Sequence, residues 1–171
     1  MFNLTRDMIF EEKEIYKGNV YRYTSDLQTL VNDGDFMLMS CVTPTNGEAV
    51  LTLSNLSKSG DEILIELIEG GTLTETGMSA LTGINLNRDY PDLTTVDCKV
   101  GLSSAGCSIS GGTVLDVQLV GGVSRAREQN QGILLTPTVF KLKPNTRYTI
   151  KVTVSGSNTK ILLSVDMLYR N

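Results

Sequence analysis

The chain's capacity for chemistry is set first by what it lacks. None of its 171 residues is histidine, which removes the commonest general base, any Ser-His-Asp or Cys-His pair, and the His-based metal sites of small β-barrels. The residue types left for a site cluster between Asn85 and Asp92. Asn85, Asn87, Asp89 and Asp92 place four oxygen-bearing side chains within eight residues. Their spacing matches no Ca²⁺-loop ligand set, so no metal is expected there. Asp89 and Asp92 could serve an enzyme as paired carboxylates, but no catalytic motif surrounds them. Asn85-x-Asn87-Arg88 reads in two ways. Asn bonds its own main chain and Arg gathers several acceptors, which makes a self-satisfied loop latch; the same exposed groups also suit a contact with another subunit or a shell. Tyr90 is the one aromatic platform in this stretch for a sugar ring, in a chain without Trp.

The glycine pairs at Ser110-Gly111-Gly112-Thr113 and Val120-Gly121-Gly122-Val123 lack the Lys-Ser/Thr ending of a phosphate loop and read as turns. Cys41, Cys98 and Cys107 are an odd number without metal-like spacing. Cys41 lies in an apolar run and reads as a small buried hydrophobe. Cys98 and Cys107 flank a Gly-rich turn and are able to pair, but three reduced thiols are the expectation. No enzyme activity and no cofactor are expected.

The elements that hold these residues read as strands. Arg147 to Val154 alternates polar and apolar without an error, and Ile161, Leu163, Val165, Met167 and Tyr169 make a second alternating row. Val139 to Lys143 precedes them, ending at the turn Pro144-Asn145. The three are expected to form one antiparallel sheet. Upstream, strands are expected at Asp35–Thr43, Ala49–Asn55 and Asp61–Glu69, the last two joined as a hairpin through Ser57 to Gly60. Thr94–Val100 and Gly112–Val120 follow, with Leu115, Val117 and Leu119 alternating with Asp116 and Gln118. Glu14 to Tyr16 and Val20 to Tyr23 read as β-rich pieces around Gly18-Asn19. Residues 26 to 34 suggest a short helical turn capped by Asp26, with Leu27, Leu30 and Val31 inward. Gly70 to Leu93 has no periodicity and is long enough to expect function in it. Leu142-x-Pro144-x-Thr146-x-Tyr148 reads as a sandwich corner, with the tyrosine hydroxyl bonded back to the main chain.

The fold class expected is all-β, a two-sheet antiparallel sandwich of jelly-roll type with a short N-terminal arm. One domain is expected over residues 13–171, preceded by an arm over residues 1–12. That arm carries Phe2, Leu4, Met8, Ile9 and Phe10, either closing one end of its own sandwich or docking on a neighbouring subunit. A net charge of −4 and pI of about 4.8, with scattered basic residues, argue against nucleic-acid or anionic-membrane partners. The N-terminus does not resemble a secretory signal, and no apolar run approaches the ~20 residues of a membrane span. Synthesis and folding in a cytoplasm are expected.

GNVYRY, CVTPTNGEAVLTL, IELIEGGTLTETG leading into INLNRD, and FKLKPNTRYTIKVT, in that order, resemble the jelly-roll decoration (cement or auxiliary capsid) proteins of tailed bacteriophages. The resemblance spans about Glu14 to Tyr169. It implies a homotrimer on the outer surface of the virion head, bridging copies of the major capsid protein and stabilising the shell. Contacts to subunits or capsid would then come from the arm residues, from Asn85, Asn87, Arg88 and Tyr90, and from Arg125 and Arg127 in the loop after Val120. A different class of function is a phage tail or fibre module that binds a host glycan through the loop around Tyr90.

Overall fold

A computed structural model describes residues 12–59, 62–92, 96–121, 131–133 and 139–170. The strands in chain order are β1 (Val20–Thr24), β2 (Gln28–Leu30), β3 (Phe36–Val42), β4 (Glu48–Ser59), β5 (Ile63–Glu69), β6 (Thr72–Thr74), β7 (Ser79–Ala80) and β8 (Ile84–Asn85). Then come β9 (Cys98–Leu102), a 3-10 turn (Ser103–Ala105), β10 (Ser108–Ser110), β11 (Thr113–Val120), β12 (Gln131–Ile133), β13 (Val139–Leu142), β14 (Arg147–Val154) and β15 (Thr159–Arg170). The first sheet runs β12-β4-β15-β1-β8, with β13 also on β4 and β2 also on β15. The second runs β11-β5-β14-β3-β9-β7, and β10 with β6 makes a separate two-stranded piece. The two large sheets face one another as a sandwich, all antiparallel. Tyr148, Ile150, Val152 and Val154 from β14 meet Ile161, Leu163, Val165 and Met167 from β15 in one core. Each large aliphatic side chain buried there contributes about 1.5–3 kcal/mol.

The periodicity found the strands but not their partners. β13, β14 and β15 do not form a three-stranded sheet: β13 pairs with β4, β14 lies between β3 and β5 in the other sheet, and β15 returns to the first. The expected hairpin at Ser57 to Gly60 is likewise absent, because β4 runs on to Ser59 and β5 belongs to the opposite sheet. Alternation sorts the residues of a strand onto its two faces. It does not say whether the chain moves ~4.8 Å to a neighbouring strand or ~10 Å across the core, and a turn of three or four residues spans either. Repeated crossing between the sheets builds the sandwich. Asn145 and Asn158 take positive φ at the two crossing turns, a conformation asparagine tolerates well. The Tyr148 hydroxyl accepts the Lys143 N–H at 2.9 Å and donates to Glu69 at 2.7 Å, forming the expected corner.

Two local expectations are corrected. Residues 12–16 are helical, so Glu14 to Tyr16 is not a strand. That helix ends in a Schellman cap, with the Gly18 N–H on the Ile15 carbonyl and the Asn19 N–H on the Glu14 carbonyl. Gly18 supplies the required φ of +72°. Residues 28–30 are extended along β15, with Leu30 buried and Leu27 and Val31 exposed. The four-residue spacing of Leu27 and Val31 imitates a helix face, but only Leu30 reaches the core.

The cysteines also depart from expectation. Cys41 and Cys98 sit directly opposite one another on β3 and β9 and form a disulfide, while Cys107 is a buried free thiol.

Candidate interaction surface

The described part of the long aperiodic stretch, Gly70 to Asp92, is a clasp. β6 pairs with β10, β7 adds to the second sheet at β9, and β8 adds to the first sheet at β1. The chain thereby crosses from one sheet to the other and covers that edge of the sandwich. At the crossing Gly83 lies against Tyr23, where a Cβ would come 2.6 Å from the ring hydroxyl. Burial pushes the Tyr23 phenol up to about 12.

Asn85 is the keystone of the clasp and is fully buried. Its side-chain NH₂ donates to the Gly18 and Pro91 carbonyls at 3.0 and 3.3 Å, and its Oδ1 accepts the Asn87 N–H at 2.9 Å. Its own N–H donates to Asp92 at 3.0 Å, and its carbonyl accepts from Arg88. Asn87 reaches across to the Tyr16 carbonyl, and Arg88 pairs with Asp92 at 2.6 Å. The Asn85 N–H, and after it Arg88, hold the Asp92 carboxyl below the ordinary range. These oxygens face hydrogen-bond donors of the loop itself, which is the latch reading of Asn85, Asn87 and Arg88. The Tyr90 ring packs on Gly18, where a Cβ would lie 2.4 Å from Cγ. Tyr90 stays 45% exposed and Tyr16, two residues before Gly18, is 78% exposed.

The start of the described chain is also held through Glu14. This carboxylate is buried, accepting from Asn19 at 2.8 Å and Lys17 at 3.0 Å, with Arg170 at 3.4 Å. Arg170 continues to Glu48, which pairs with Lys141. Asn19 most of all, and then Lys17 and Arg170, hold the Glu14 carboxyl down at about 2 against the cost of burial. A lowered folded-state pKa gives stability that is complete above the ordinary value of 4.5 and is lost as the pH falls towards about 2. Glu14→Gln is therefore expected to lose about 1–3 kcal/mol at neutral pH. Urea unfolding at a series of pH values should then show a shallower dependence for the variant between pH 4.5 and 2.

The opposite edge of the second sheet is built differently. β11 pairs with β5, and among the described residues β5 is its only partner. Along it Val114, Val117 and Leu119 are exposed at 48%, 56% and 63%. The expected alternation holds for Val117 and Leu119 against Asp116 and Gln118, but Leu115 falls at a register break and Val114 takes its place in the row; this row faces solvent, and Asp116 and Gln118 take the core-facing side. A usable signal was present next door: β5 is apolar on both faces through Leu64 and Ile68, which suits a strand beside a covered surface. Of the other residues expected to make contacts, Phe2, Leu4, Met8, Ile9, Phe10, Arg125 and Arg127 lie outside the described residues.

Compared with family models, curated proteins and solved structures, the chain matches none.

Proposed function

We propose that this chain is a non-enzymatic virion structural protein, a homotrimeric decoration or cement protein on the outer surface of a tailed-bacteriophage head, with the major capsid protein as its partner. The observation that carries the reading is the unequal treatment of the sandwich edges. One is clasped and latched by the Gly70 to Asp92 segment, while β11 presents a contiguous apolar row to solvent. Exposed apolar rows of this kind mark surfaces that another protein covers. The resemblance to decoration proteins supplies the partner, and the mechanism is associative. Many modest interfaces repeated over a shell sum to a large resistance against internal pressure. The protein would assemble in the host cytoplasm and remain on the virion. Purified protein is expected to sediment as a trimer, to add to heads that lack it, and to be present in hundreds of copies per particle. A stable monomer without affinity for heads would sink the proposal.

A second reading, a tail or fibre module that binds a host glycan, is favoured by the exposure of Tyr90 and Tyr16 on either side of Gly18. It expects Tyr90→Ala to reduce adsorption to cells at least tenfold. Unchanged adsorption together with a blank glycan array would count against it.

A further inference from the structure

We infer that the outer face of β11 is the surface on which copies of this chain meet; the inference rests on the self-association proposed above and names its site. In an antiparallel ladder, paired residues point to the same side of the sheet. Val120, Gln118 and Asp116 pair with Ile63, Ile65 and Leu67, the core-facing row of β5. Val114, Val117 and Leu119 pair with Ile68, Glu66 and Leu64 and so project from the outer face, where they are joined by half-buried Leu64.

The edge of the same strand that no described strand pairs is blunted. The register breaks between Val114 and Asp116, and Asp116 is turned to the core side, where it accepts from Gln118 at 2.8 Å. A bulge and an inward charge both discourage another strand from adding. A partner is therefore received on the face rather than along the edge.

The electrostatics select the occupant. Glu66, the one acid among the described outer-face residues of β5 and β11, pairs with Lys151 at 3.4 Å, and Lys151 also lies 5.2 Å above the Phe36 ring. The stretch is neutral, on a chain whose net charge is −4. Two acidic copies repel wherever unpaired carboxylates face one another, and they approach most easily where charge is cancelled and apolar surface is gained. An oppositely charged partner would find nothing here to recognise. A second copy of this chain, in a closed symmetric assembly, fits the face.

The experiment is sedimentation equilibrium over a wide range of protein concentration. It compares wild type with Val117→Lys, Leu119→Lys and the milder Leu119→Ser, with Leu27→Lys as an exposed site elsewhere. Wild type is expected to associate. Either lysine variant is expected to weaken association at least tenfold at an unchanged melting temperature, and Leu27→Lys to leave it intact. If a lysine variant unfolds, Leu119→Ser decides, with an expected loss of several-fold. Folded β11 variants that associate like wild type, or an equal loss in Leu27→Lys, overturn the assignment of this face while self-association stands. A wild type that stays monomeric throughout overturns both.

Discussion

Reduction of the Cys41–Cys98 bridge is expected to lower the stability of the folded chain by about 2–4 kcal/mol. The two cysteines are 57 residues apart in sequence, and a cross-link that closes so long a loop removes many conformations from the unfolded chain. The bridge joins β3 to β9, and β9 in turn carries β7 of the clasp. Its loss thus bears on the covered edge of the sandwich as well as on global stability. For a chain of this size each kcal/mol moves Tm by about 2–4 °C, so a fall of about 5–15 °C is expected. The measurement is a thermal melt with and without reductant on wild type, Cys41→Ala/Cys98→Ala and Cys107→Ala. Wild type and Cys107→Ala should respond to reductant, and the double variant should not. Three free thiols in the folded wild type, with a melt unaffected by reductant, would show that the bridge does not form. Reduced thiols were the sequence expectation because the chain read as one made and folded in a cytoplasm, where disulfides are rare. The missing information was register: only the pairing of β3 with β9 brings Cys41 and Cys98 face to face.

The same distinction runs through the rest of the chain. Strand positions and core-facing residues were legible, since Tyr148, Ile150, Val152, Val154, Ile161, Leu163, Val165 and Met167 are buried as their alternation requires. The corner at Tyr148 was also legible, because its hydrogen bond spans only five residues. Sheet membership was not, because crossing the core and turning back beside a neighbour call for similar short turns. The outer row of β11 was visible as alternation but was assigned no exposure. A lone strand does not reveal which of its faces meets the core; the ladder with β5 does. Glu14 shows a further limit. Nothing in the sequence sets its charge apart from other carboxylates, and only the Schellman cap and the end of β15 bring Asn19, Lys17 and Arg170 around it.

Asn85→Ala is expected to destabilise the fold by about 2–4 kcal/mol, and more than any other substitution in the Asn85 to Asp92 cluster. The side chain satisfies two carbonyls and one N–H that belong to three different segments: Gly18 after the helical turn, Pro91 beyond the loop, and Asn87 within it. Truncation leaves these groups without their partner at a site where Asn85 itself has no exposed surface, and a buried unpaired polar group costs about 1–3 kcal/mol. Asn85→Asp should be no better. It keeps an acceptor for the Asn87 N–H but loses both donated bonds, and it turns a carboxylate towards two carbonyls with Asp92 close by. Arg88→Ala, by contrast, removes an exposed ion pair with Asp92 and should cost much less, because exposed pairs contribute little. Urea unfolding of the three variants tests this order, and hydrogen exchange at β8 and at residues 12–18 tests its cause. Protection there should fall in Asn85→Ala while that of β14 changes only with global stability. An Asn85→Ala variant within about 0.5 kcal/mol of wild type, the range of an ordinary surface substitution, would mean that the clasp closes without its keystone. The side chain that holds this edge is therefore the one with no surface of its own, while Tyr90 and Tyr16 beside it stay exposed.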